Sequence, residues 1–135
     1  MGEMIDNFGL NAGKIWNALS KHGPLTQNKL MKTTRLKKED FYSAIGWLAR
    51  ENKICLNDNY YSLGETNFSK NIGEDAGKVY TLLNTYNEID LTYIPKLTGI
   101  TLDDTFFALG WLAKEGKISA KKVIPKKPQL YLKLK

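Results

Sequence analysis

Residues 45–54 read IGWLARENKI, and residues 109–118 read LGWLAKEGKI. A decapeptide that sets a bulky Trp beside a Gly, twice in 135 residues, is not a composition accident. Sliding the chain by 64 positions superposes the two stretches. The same shift aligns Gly9 with Gly73, Ala12-Gly13-Lys14 with Ala76-Gly77-Lys78, Lys32 with Lys96, and Asp40 with Asp104. Between Phe8 and Ile54 no gap is needed, and 16 of the 47 aligned pairs are identical. A register held that long identifies a tandem duplication. The units are residues 1–64 and 65–135. Each is at the small end of what folds alone, so burial of one half against the other is expected.

Within each unit the apolar spacing gives a helix, a short strand, two more helices and a pair of strands. Ile15, Ala18, Leu19 and His22 recur at helical spacing over about Asn11–Lys21, and Gly23-Pro24 ends that helix. Thr26 and its counterpart Asp90 have the chemistry of helix N-caps. The second helix is expected at 27–33 and 91–97, where Pro95 should shorten or kink the later copy. The third helix carries the decapeptide. Its core stripe is Phe41, Ala44, Ile45 and Leu48 in one copy and Thr105, Ala108, Leu109 and Leu112 in the other. Strands follow at 54–56 and 60–63 around Asn57-Asp58-Asn59, and at 118–123 and 129–134 around a lysine-bearing loop. The fold class is α+β, mostly helical: two tandem winged helix-turn-helix domains, each of three helices plus a two-stranded wing.

GLNAGKIW and IGWLARENKI, with their partners GEDAGKVY and LGWLAKEGKI, resemble a prokaryotic family of small winged helix-turn-helix domains of unknown function, usually with one domain per chain. The resemblance spans both repeats, and its GWLA(R/K)E stretch is its specific part. It implies the fold, and DNA binding by analogy. Pro95 and the long lysine wing of the second copy depart from the pattern.

The net charge is +6, unevenly placed. Residues 1–64 carry nine basic and six acidic side chains, residues 65–117 five basic and eight acidic, and residues 118–135 six lysines and no acid. Clustered cations suit a polyanion, because local density sets the field that a phosphate meets. In the first copy Lys29, Lys32, Arg35, Lys37 and Lys38 crowd the turn before the third helix. The row opposite that helix's core stripe holds Ser43 and Arg50, donors of the kind a groove-reading helix presents. The second copy offers Lys121, Lys122, Lys126 and Lys127 in its wing, for contacts along the phosphate backbone. The leading expectation is therefore double-stranded DNA binding by a transcriptional regulator or an architectural protein. The plainer one is that these lysines only keep the surface solvated.

The aromatic residues support a different class of function. Trp47 and Trp111 lie between the core stripe and the outward row. Two placements satisfy them: packing under the first helix or wing, or pairing of the two copies. Phe106 and Phe107 cannot both enter one core, so with Trp111 they form candidate anchors of a protein-interaction patch on the third helix of the second domain. Pairing through the third helices would cover the surface that reads DNA.

Catalysis has little to stand on. Gly73-x-x-x-Gly77-Lys78 is one residue short of a phosphate loop, and Val79 stands where Ser or Thr is required. His22 is the only histidine and Cys55 the only cysteine, so no triad, disulfide or cysteine zinc site is expected. We expect no enzyme activity, no cofactor and no metal. No apolar run approaches the roughly 20 residues of a membrane span, and no secretory signal precedes the first repeat, which favours the cytoplasm.

Overall fold

The computed structural model describes residues 3–122 and 130–135, with side chains over residues 7–119 and 132–135. Helix α1 (Glu3–His22) leads into the two-residue strand β1 (Leu25–Thr26), α2 (Gln27–Thr34), α3 (Lys38–Arg50) and the hairpin β2 (Ile54–Asn57) and β3 (Tyr60–Leu63). The second unit repeats this order. It runs α4 (Ser69–Tyr86), β4 (Glu88–Asp90), a 3-10 turn (Leu91–Tyr93), α5 (Ile94–Thr98), α6 (Leu102–Lys114), β5 (Ile118–Lys122) and β6 (Leu130–Leu134). Helices α3 and α6 begin and end 64 residues apart, as the sequence offset requires.

The first helix starts eight residues earlier than its apolar spacing indicates. Phe8 and Ala12 continue the buried stripe of Ile15 and Leu19 toward the N-terminus, while His22 is exposed in the last turn. Gly9 argues locally against helix there. Packing overrides it: a Cβ at Gly9 would lie 2.9 Å from Trp47 Cζ2, so the glycine makes room for the indole. Gly23, at φ +77°, ends the helix, its amide donating to the Leu19 carbonyl at 2.9 Å.

Helix α2 is capped by Thr26, whose hydroxyl accepts from the Lys29 amide at 3.3 Å. Asp90 does the same for the second copy, accepting from the Thr92 amide and hydroxyl, both at 2.9 Å. Pro95 has a concrete effect. It falls in the first turn of α5, where its missing amide costs nothing, and the preceding residues wind as a 3-10 turn. The expected second helix is thus split in two. Arg35 (φ 60°) and Gly99 (φ +81°) end α2 and α5 in the same left-handed conformation, 64 residues apart.

Each hairpin gains a third strand from the short stretch after the first helix. The sheets are ordered β1-β3-β2 and β4-β6-β5, antiparallel throughout. Asp58 and Asn59, at φ 50° and 69°, make the two-residue turn whose twist matches the strands. The link between units is tied down along β2. Asn67 accepts from the Leu56 amide at 3.0 Å and donates to its carbonyl at 2.9 Å. The side chains of the two units merge into one apolar core. Phe8, Ile15, Leu30, Phe41, Ile45, Leu48 and Ile54 fill the first half, and Val79, Leu83, Ile94, Leu109, Leu112 and Ile118 the second. Among the described residues no helix is long and apolar enough to cross a membrane.

Candidate nucleic-acid interface

Helix α3 packs its outward row on helix α6, and the two decapeptides meet at their glycines. A Cβ at Gly46 would overlap the Phe107 carbonyl oxygen and lie 2.9 Å from its carbon. A Cβ at Gly110 would overlap the Ser43 carbonyl oxygen and lie 2.7 Å from its carbon. Backbone therefore touches backbone in both directions, an approach only glycine permits. This is the answer to the Gly-Trp pair. The glycine admits the other repeat's helix, and the Trp closes the side of the crossing.

Each indole serves both placements open from the sequence. Trp47 lies against Gly9 of its own first helix, and Trp111 lies 3.5 Å from the position of a Cβ at Gly73 of its own. Each ring also receives a cation from the other repeat. Lys114 Nζ stands 5.3 Å from the Trp47 ring centre, and Arg50 Cζ 5.6 Å from that of Trp111. The same cations pair with acids across the repeats: Arg50 Nε donates to Glu115 Oε2 at 3.0 Å, and Lys114 Nζ lies 3.3 Å from Glu51 Oε2. Exchanging the repeats maps each contact onto the other, as in a two-fold dimer fused into one chain.

That arrangement corrects three expectations. Ser43 is fully buried, its hydroxyl donating to the Glu39 carbonyl at 2.9 Å, so it reaches no groove. Arg50 stays exposed, but its guanidinium is paired with Glu115 and lies over Trp111 at the edge of the helix crossing rather than pointing freely outward. Phe106 and Phe107 form no open patch: Phe106 is 6% exposed in the core, and Phe107 sits on Tyr42 across the repeats with ring centres 4.6 Å apart. Neighbouring residues on one helix do enter two packing environments, because the second is supplied by the other repeat. A signal was present in the sequence. Glycine at the centre of an otherwise solvated helix row costs about 1 kcal/mol against alanine, and finding it twice asks for a backbone contact.

Other residues singled out from the sequence remain open to solvent. Lys29, Lys32, Arg35, Lys37 and Lys38 are all exposed on α2, the following turn and the start of α3. Among the described residues none of the five takes part in an ion pair, whereas Arg50, Lys53, Lys114 and Lys117 are all paired with Glu51 or Glu115. The nearby Asp40 carboxyl is pushed up by burial and by Glu39, against the opposing pull of Lys37 and Lys14. Lys121 and Lys122 are placed on β5 by backbone register with Tyr131 and Leu130. Lys126 and Lys127 lie outside the described residues. No group of three His, Cys, Asp or Glu residues suited to a metal ion occurs among the described residues.

A winged helix-turn-helix domain model, DUF2582, matches the chain twice, over residues 1–63 and 68–133. The chain belongs to this family. Both matched stretches hold three helices followed by a strand pair, and the family is present here as a tandem repeat. No curated protein and no solved structure matches the chain. Winged helix-turn-helix domains as a class bind DNA, commonly with the helix after the turn in the major groove. In this DUF2582 pair the two helices in that position cover each other.

The second domain differs from the first in charge. Asp75 has its carboxyl pushed up from 3.8 by burial first, then by Asp104 and Glu74, against Lys78. Its raised value means that the ionised form is the disfavoured one in the folded chain. Stability from this group is full below pH 3.8 and is lost as pH rises through the raised value. Asp75→Asn should therefore raise the melting temperature at pH 7. The gain, below about 0.5 kcal/mol for a solvent-screened repulsion, should vanish below pH 3.8. Paired thermal melts from pH 3 to 7 check this; a destabilised variant at pH 7 would contradict it.

Proposed function

We propose that this protein is a DNA-binding module without enzymatic activity that holds duplex DNA by its phosphate backbone and reads little sequence. The observation that carries this reading is the exposed basic corner of Lys29, Lys32, Arg35, Lys37 and Lys38, free of ion pairs among the described residues, beside a third helix whose reading face is occupied. Phosphate contacts supply affinity and orientation, while sequence is read at base edges. With Ser43 buried and Arg50 engaged, the first domain retains the affinity and loses the readout. An architectural role follows more naturally than that of a site-specific regulator. The lysines of the second wing, Lys121, Lys122, Lys126 and Lys127, would add backbone contacts through their charge.

Binding is tested by mobility shift on a mixed-sequence duplex across a salt series. Five neutralised phosphates give a slope of log K against log salt of about −4.5, which is a loss of roughly 500-fold between 50 and 200 mM salt. Duplexes of unrelated sequence should differ by less than about tenfold, well short of the specificity ratio of a site-specific binder. No shift at the lowest salt removes the proposal.

A further inference from the structure

The two domains descend from one unit, so each position in one is a control for its partner in the other. Between the C-terminal halves of α1 and α2 the first domain has an open cleft of about 400 Å³. One wall is a single face of α1, where Lys14, Asn17, Ala18, Lys21 and His22 fall at helical spacing. The other wall is Thr33 and Thr34 at the end of α2. In the second domain the same positions hold Thr85 for Lys21, Tyr86 for His22 and Leu97 for Thr33. Ala18, buried at the floor of the cleft, becomes Leu82, which packs partly buried against the core.

No acidic side chain lines this cleft. Lys14, at its far end, is close enough to Asp40 on α3 to pull on that carboxyl. Lys21 and His22 are exposed and, among the described residues, take part in no ion pair. Asn17 and Thr33 are exposed as well, and neither side chain donates a hydrogen bond among the described residues. Together the four offer an ammonium, an imidazole N–H, an amide and a hydroxyl, donors that phosphate oxygens accept. Two carbonyls that would repel an anion are already engaged. Leu19 accepts from the Gly23 amide, and Leu30 from the Thr34 hydroxyl at 2.6 Å. The helix dipole does not call for the cations, because α4 ends with no basic residue in its last turn.

We infer that the α1–α2 cleft of the first domain binds a phosphate group, held by Lys21, His22, Asn17 and Thr33. Two sources present that group. One is a free phosphorylated small molecule. The other is a DNA strand on the adjoining corner, since Thr33 follows Lys32 and lies one turn after Lys29. The site itself does not rest on DNA binding, because none of its four residues belongs to that corner.

The test uses the full chain, isotopically labelled, and inorganic pyrophosphate at constant ionic strength. Pyrophosphate should shift the resonances of the Asn17 side-chain amide, the His22 ring and the Thr33 amide saturably. Thr81, Tyr86 and Leu97, their counterparts in the second domain, should stay in place. The variant carrying the sister residues, Lys21→Thr and His22→Tyr, should bind pyrophosphate at least about tenfold more weakly, through the loss of charge-assisted hydrogen bonds. Its melt should match the wild type, because both side chains are exposed; if it does not, Lys21→Gln alone carries the comparison. Equal affinity of wild type and variant for pyrophosphate overturns the proposal, and so do shifts spread evenly over the lysines of both domains. Duplex DNA separates the two sources. If the phosphate belongs to the strand, the variant's slope of log K against log salt is shallower by about 0.9. Unchanged DNA binding beside weakened pyrophosphate binding assigns the site to a free phosphorylated molecule. A wild type that shifts no DNA at the lowest salt removes the DNA reading, while the pyrophosphate result still decides this site.

Discussion

Gly46→Ala lowers the stability of the protein by about 3 kcal/mol, and Gly110→Ala by a similar amount. Both substitutions add one methyl group where the other repeat's main chain already lies, against Phe107 in one case and Ser43 in the other. Carbonyl groups in the middle of a helix cannot step aside as a flexible side chain would, so α3 and α6 must separate. Separation exposes Trp47, Trp111 and Phe107 together and strands the charges of Glu51 and Glu115. Controls are built into the same helix pattern. Gly13 and Gly77 are exposed in α1 and α4 with nothing within 4 Å of an added Cβ. Alanine there removes a helix-interior glycine and should stabilise by about 0.5–1 kcal/mol. Urea unfolding of the four single variants reads both signs at once. If Gly46→Ala behaves like Gly13→Ala, the helices are not in contact.

Reversing the charge of the basic corner has the second large effect. The variant with Lys29→Glu, Lys32→Glu and Lys38→Glu should bind duplex DNA at least about 100-fold more weakly than the wild type at 50 mM salt. Its melting temperature should change little, because none of the three takes part in an ion pair among the described residues. The informative comparison is with Ser43→Ala and Arg50→Ala. In a groove-reading domain these would relax sequence preference and cost affinity. Here Ser43→Ala should leave DNA binding unchanged, and Arg50→Ala should lose about 1 kcal/mol or less of stability through Glu115, again without effect on DNA. Fluorescence titrations with one duplex settle the order of the variants. A loss of binding in Ser43→Ala larger than in the triple variant would reverse the assignment.

Much of the fold could be read before any coordinates, and the reason is periodicity. The 64-residue register placed α3 and α6, and the stripes of Phe41, Ala44, Ile45, Leu48 and of Thr105, Ala108, Leu109, Leu112 faced the core. Turn chemistry at Gly23, Gly99 and Asn57-Asp58-Asn59 marked the breaks. Two features were not settled by it. The start of α1 lay hidden because Gly9 lowers local helix propensity, and only the indole of Trp47, 38 residues on in sequence, explains the glycine. The occupied reading face was named only as one of two open placements, because helical phase says which side of α3 leaves its own core, and not whether a second body covers that side. Ser43 looked free for that reason. The lysines of the first corner were more legible, since five long cationic side chains crowded around one turn have few places to go except solvent.

The central claim is that α3 and α6 lie back to back in one chain, so that the face which would read bases is spent on holding the repeats together. Through-space proton couplings on an isotopically labelled sample measure this directly. The account predicts cross-peaks from the Gly110 α-protons to Ser43 and Trp47, and from the Gly46 α-protons to Phe107 and Trp111. They should persist when labelled protein is diluted into unlabelled protein, since both partners belong to one molecule. Absence of these cross-peaks, with the two halves tumbling independently, would contradict it.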